Sequence, residues 1–237
     1  GSAVPQYQDL NFKVVSDVTK NDRLTFFGVN GNSRINFLGS EIDTSKTELY
    51  GGNPDFDERN KFGMSVTGVS WERRLSEKTT SKLTLGYAYT LQQYIADSLS
   101  TIDRHAVPYA NGKFTTTKLS GVWSLTHKWN ARNNMQAGVI YDQLSFDLMN
   151  KDYLPGGSER IYIDRVGSYG LAQAYTQWKH RFSNHLSGVA GLHGQYLTLN
   201  NSVALEPRAS MRYTFGRQAL GIGYGLHHQA QNVYTYY

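Results

Sequence analysis

Between positions 82 and 92 the chain alternates without a lapse. Leu83, Leu85, Tyr87, Tyr89 and Leu91 fall on one parity, and Lys82, Thr84, Gly86, Ala88, Thr90 and Gln92 fall on the other. Successive residues of a strand point to opposite sides of a sheet, whereas a helix repeats every ~3.6 residues, so this rhythm specifies strand. It returns where Leu119, Trp123 and Leu125 oppose Lys118, Ser120, Ser124 and Thr126, and where Met211, Tyr213 and Phe215 oppose Ser210, Arg212 and Thr214. Near the end, Leu220, Ile222, Tyr224 and Leu226 oppose the small residues Ala219, Gly221, Gly223 and Gly225. Such a chain folds into sheet. What the apolar side faces, a second sheet or lipid, is not decided by periodicity.

Ten strand-like segments pair into hairpins: 10–18 with 23–38, 61–75 with 81–97, 114–129 with 135–149, 165–182 with 186–197, and 207–215 with 219–228. Short polar reversals such as Thr19-Lys20-Asn21-Asp22 and Ser183-Asn184-His185 join the partners, as turn chemistry favours. Longer connections at 39–60, 98–113 and 150–164 separate the hairpins. One end of the sheet is therefore trimmed and the other elaborated, the sorting found in outer-membrane barrels. The strands also exceed the five or six residues usual in globular domains and reach the roughly nine to eleven that a tilted membrane strand needs. Thr67-Gly68-Val69-Ser70-Trp71 breaks the alternation and reads as a β-bulge or a misassigned segment.

Aromatic placement favours lipid. Trp71, Trp129, Trp178, Phe182 and Phe215 all lie within a few residues of a short turn, where a headgroup girdle would put amphipathic rings. A mean hydropathy of -0.51 and the lack of any run of about 18 apolar residues exclude helical spans but do not touch barrel strands. The absence of cysteine removes disulfides and thiolate metal sites. The net charge of +5 comes without a basic helix or longer basic run than Arg73-Arg74, so no nucleic-acid partner is expected. No HExxH, phosphate loop, GxSxG or catalytic triad spacing is present, and no enzymatic activity, cofactor or metal is expected. His227 and His228, read as neighbours in a strand, would point to opposite faces and not share an ion.

Several stretches resemble the barrel of TonB-dependent outer-membrane transporters, particularly the Bacteroidota-type receptors. They are NDRLTFFGVNG at 21–31, FGMSVTGVSWERRLSEKTTSKLTLGYAY at 62–89, LEPRASMRYTF at 205–215 and GIGYGLHHQAQ at 221–231. The resemblance implies an antiparallel transmembrane β-barrel of about 22 strands, closed by an N-terminal plug, in the bacterial outer membrane. It implies uptake of a siderophore, glycan or similar nutrient, with energy from the TonB complex acting through the plug. Ten strands fall short of that barrel, and no plug-like segment is legible. The chain is therefore expected to be an internal part of the barrel wall, with outer-membrane lipid, the plug and the remaining strands as partners. The terminal Val233-Tyr234-Thr235-Tyr236-Tyr237 reads as a strand entering a loop.

Within that resemblance Glu206, Arg208 and Arg212 are expected on the lumen wall, as ion pairs or plug contacts. Tyr50, Tyr109 and Tyr153 are expected in the long loops, where they would meet ligand or pack on one another. Asp55, Asp57, Glu58 and Asp152 read as solvated loop acids. Other readings remain: a small closed barrel acting as porin, adhesin or outer-membrane protease, and a soluble all-β binding module whose apolar faces pack together.

Overall fold

The computed structural model describes residues 4–42 and 53–236. Its strands are β1 (Gln6–Asp17), β2 (Asp22–Leu38), β3 (Phe56–Ser76), β4 (Thr79–Leu99), β5 (Ala106–Lys128), β6 (Asn133–Tyr153), β7 (Glu159–Arg181), β8 (Leu186–Leu197), β9 (Ser202–Phe215) and β10 (Gln218–Gly225). All ten form one antiparallel sheet in sequence order, each strand bonded to its chain neighbours. Two packed sheets are not what forms, so the soluble sandwich is replaced by a single curved-wall architecture. Among the described residues β1 bonds only to β2 and β10 only to β9, which leaves the sheet open at both edges.

The register puts the apolar parity in lateral rows. One row runs Leu24, Trp71, Leu83, Trp123, Val139, Ala174, Gly194, Leu205, each residue directly opposite the next across the ladder. No strand covers this outer face. Leu119 is 61% exposed, Leu220 69% and Ile222 76%. Large apolar side chains left this bare across a whole sheet specify an apolar solvent. From Leu83 to Leu91 the strand advances roughly 26 Å at about 3.3 Å per residue. At a tilt of about 40° that is roughly 20 Å of height, close to the belt of a membrane barrel. On the neighbouring strands the same face turns polar at the level of Tyr89 and Leu91, with Ser65, Thr117 and Ser145 in one row with Tyr89 and Thr115 opposite Leu91.

At the short-turn end the exposed indoles of Trp71, Trp123 and Trp178 each keep a polar partner. Their Nε1 groups donate to Asp22 Oδ1 (2.9 Å), Ser81 Oγ (3.0 Å) and Asn133 Oδ1 (3.2 Å). Trp129, Phe182 and Phe215 are exposed at the same end. Rings that are apolar on one side and hydrogen-bonded on the other are what a membrane–water boundary holds.

The strands run further toward the long-connection end than sequence alone indicates, and β5 and β7 reach 23 residues. Tyr109 and Tyr153 consequently lie in β5 and β6, not in loops, and Asp57, Glu58 and Asp152 are strand residues too. The expected irregularity at 67–71 is absent: pairing runs unbroken there on both sides of β3. Register shifts occur instead between Arg74 and Ser76, Ala96 and Asp97, and Asn150 and Lys151. They leave Leu75, Tyr109 and Tyr162 as extra residues. The second shift sits beside Pro108, which has no N–H for the ladder.

The final segment also differs from expectation. β10 stops at Gly225, and residues 226–236 leave the sheet and fold back over its inner face, ending in a short 3-10 helix, Val233–Thr235. Val233 buries itself against Phe146 and Leu148, with Phe114, Ile163, Tyr169 and Tyr234 around them. The Phe146 ring lies over its cross-strand partner Gly167, where a Cβ would come within 2.6 Å of Cζ. This small cluster is the packed core of the described chain. Truncating Leu148 to alanine, fully buried at its centre, is expected to cost about 2–5 kcal/mol, read as a lowered denaturant midpoint in detergent.

Candidate functional site

The inner face is built from the opposite parity. Its row nearest the girdle reads Arg23, Glu72, Lys82, Ser124, Gly138, Tyr175, His193, Glu206. Charged and hydroxyl side chains recur here because this wall faces away from the apolar belt. Gly138 is the low point of the row, and the ring of its partner Tyr175 lies across it.

Glu206 is the most buried ionisable group of this wall, 3% exposed. One carboxylate oxygen accepts from His193 Nδ1 at 2.9 Å and from an Arg208 guanidinium nitrogen at 3.0 Å. The other accepts the backbone N–H of His228 at 2.6 Å. Gln173 holds the far side of the imidazole, with 3.2 Å between its Oε1 and His193 Nε2, and Gln195 Nε2 donates to the His228 carbonyl at 3.4 Å. Leu226 N donates to Pro207 O at 3.1 Å. A buried carboxylate is tolerable only with such a full set of donors. The knot thus fastens strands β7 to β9 and ties down the start of the returning segment.

At the long-connection end a second network links separate connections. Asp57, 5% exposed, accepts from Ser40 through the backbone N–H and the hydroxyl, both at 2.9 Å. Arg59 pairs with Asp97 at 2.6 Å. Arg104, in the left-handed region at φ 60°, reaches from the 100–105 connection to the carbonyls of Gly39 (2.9 Å) and Pro54 (2.8 Å). Gly39 admits no side chain there, because a Cβ would lie 2.5 Å from Phe56 O. Asp103 accepts from His105 Nδ1 at 2.6 Å. That bond, aided by Ser100, holds its carboxyl down to about 2.

Glu206 and Arg208 therefore meet on the inner face. Arg212 lies on the same face of β9, exposed, opposite Ser187 and Gly221, and among the described residues it makes no ion pair. Tyr109 and Tyr153 do not converge. The Tyr109 ring packs edge-on against Phe56 at 5.0 Å, and Tyr153 lies under Lys151 Nζ at 5.0 Å. Tyr50 lies outside the described residues. His227 and His228 follow the end of β10, and it is the backbone of His228 that matters. Sequence reasoning did not join His193 to Glu206, although both are equally far from the 198–201 reversal, a pairing that hairpin register alone would find. The Arg104 contacts carry no such signal, since they join loops far apart in sequence.

No protein-family model matches the sequence, and no curated protein matches it either. Solved structures do match the fold. The RagAB peptide importer superposes with a TM-score of 0.63 in its closed-closed state and 0.64 in its open-open state, at 9% and 10% identity. In both, 89% of this chain aligns with 30% of that one. The copper transporter OprC matches with a TM-score of 0.54 at 10% identity, over 95% of this chain and 45% of that chain. The fold is that of an outer-membrane barrel wall. This wall spans 30% to 45% of the length of these transporters, and at these identities the likeness concerns fold.

Two outcomes test the networks. Glu206→Ala is expected to lower stability by about 2–4 kcal/mol, because it strands His193 and Arg208 and releases His228; denaturant unfolding in detergent reads it, with protease cleavage rising within 226–236. Asp103 has its carboxyl pKa depressed in the fold, so its contribution is fully present above about 4 and fades as pH falls through about 2. Hydrogen exchange at 100–105 should be flat with pH above about 4, after correction for intrinsic rates, and accelerate below it.

Proposed function

We propose that this chain is a wall segment of a TonB-dependent transporter barrel in the bacterial outer membrane, of the Bacteroidota type. The observation that carries the reading is the exposed apolar belt on one side of a single sheet, with an ion-paired polar wall on the other. A belt roughly 20 Å high suits outer-membrane lipid, and the inner wall suits a watered passage. The open edges of β1 and β10 would leave unpaired backbone N–H and C=O groups in hydrocarbon, each costing several kcal/mol. Further strands beside both edges remove that cost. Likeness to large importers, of which this chain covers a minor share, supports the same assignment.

In this reading the wall is a passive scaffold. It holds the passage, and the long connection at 39–55, with the shorter ones at 100–105 and 154–158 beside it, selects a nutrient ligand at the outer mouth. A plug domain occupies the lumen and couples the barrel to the TonB complex. The chain performs no chemistry of its own. Its charged inner wall positions the plug and the passing ligand through groups such as Glu206, Arg208 and Arg212.

Immunoblotting of native outer-membrane fractions with an antibody to this chain tests the assignment. The expected band is roughly 80–120 kDa, the size of a barrel of which this chain is a minor share. A membrane band at the 26.7 kDa of this chain would replace the reading with a small stand-alone barrel. Recovery in the soluble fraction would sink membrane residence altogether.

A further inference from the structure

The inner wall carries a cavity toward the long-connection end, bordered on one side by the cluster around Val233. Two adjacent lateral rows build its floor. One runs Tyr7, Ser33, Phe62, Gln92, Phe114, and the next runs Asp9, Gly31, Met64, Thr90, Thr116. Tyr234, brought in by the returning segment, closes one side, and its ring meets Phe114 edge-on at 5.3 Å. The space is an open groove of about 390 Å³, within the range of small-molecule sites.

The chemistry of the lining is one-sided. Tyr7, Phe62, Phe114 and Tyr234 supply aromatic surface, and Met64 supplies a polarizable thioether. Among the described lining residues the only charged group is Asp9. Its carboxylate lies over the Gly31 backbone, where a Cβ would come within 2.9 Å of Oδ1. Neither row contains a lysine or arginine through Phe114 and Thr116, and among the described residues Asp9 makes no ion pair. The contrast with Glu206, which is fully engaged by its own neighbours, is direct. A lone carboxylate beside aromatic faces attracts a cation twice, by Coulomb attraction and through the ring quadrupoles. An anionic ligand would be repelled by Asp9, and a purely apolar one would have to strip its water without replacing it.

We propose that this cavity binds an organic cation, an ammonium group carried on an aromatic or aliphatic body. The ammonium sits at Asp9, and the apolar body rests against Phe62, Met64 and Tyr234. The assignment rests on the inner face lining a passage, and it places a ligand subsite on the wall just inside the elaborated mouth. The returning segment then has a second role, since releasing Tyr234 opens one side of the cavity.

Calorimetric titration of the native outer-membrane protein that carries this chain, purified in detergent micelles, tests this, with phenethylammonium as probe and the matched anion hydrocinnamate as its counterpart. Phenethylammonium is expected to bind at least about tenfold more tightly than hydrocinnamate. Asp9→Asn, which keeps the shape, should weaken it by about tenfold or more. Tyr234→Ala should weaken it about threefold or more by removing a wall, and Lys179→Gln, at the far end of the sheet, should leave it unchanged. Equal binding of the two probes, or an Asp9→Asn chain of unaltered circular dichroism that binds as before, overturns the proposal. This readout is separate from membrane residence. Binding by a chain found in the soluble fraction would sink the transporter reading alone, and a large outer-membrane protein whose wall ignores phenethylammonium would sink only the cation site.

Discussion

Every feature of this chain depends on a ladder of antiparallel backbone hydrogen bonds that has apolar solvent on one side and water on the other. The ladder satisfies the polar groups of the interior strands internally, which is the condition for sheet to exist in lipid. It also forces the strict parity of the side chains: once Leu83 faces outward, Leu85, Tyr87 and Leu91 must follow. The belt is therefore a property of register. A slip of one residue would turn lysines and acids toward hydrocarbon, and the continuous pairing through β3 to β6 prevents it.

A sheet of this kind has little of the packed core that holds a globular domain. Leu148, Phe146 and Val233 make a small cluster where the returning segment lies on the inner wall. Much of the remaining cohesion is lateral, through the ladder and through polar ties such as Glu206 with His193 and Arg208. Those ties sit where lipid is absent, so water and neighbouring charges offset the cost of burying a carboxylate. The same logic explains the long-connection end, where Asp57 and Arg104 fasten connections that have no apolar surface to pack.

The inner wall divides by chemistry along its height. Toward the short turns it carries Lys82, His193, Arg208 and Arg212. Toward the long connections it carries Tyr7, Phe62, Phe114 and Tyr234 with Asp9, and also Glu58 and Arg165.

The ten strands, their pairing into five hairpins and the parity that bears the apolar residues were legible in the sequence, because a period of two is local and turn residues mark each reversal. The placement of Trp71 and Trp178 near short turns was legible for the same reason. Strand ends were less so: β5 continues through Pro108, which a bulge at Tyr109 accommodates, and that bulge shows only in the pairing with β4. The Glu206 knot, the reach of Arg104 to Gly39 and Pro54, and the inward fold of 226–236 belong to tertiary structure alone. Each joins residues that no local period relates. Only the assembled sheet brings Tyr234 beside Tyr7 and Asp9, since lateral stacking of strands, and not chain sequence, decides which distant residues share a wall.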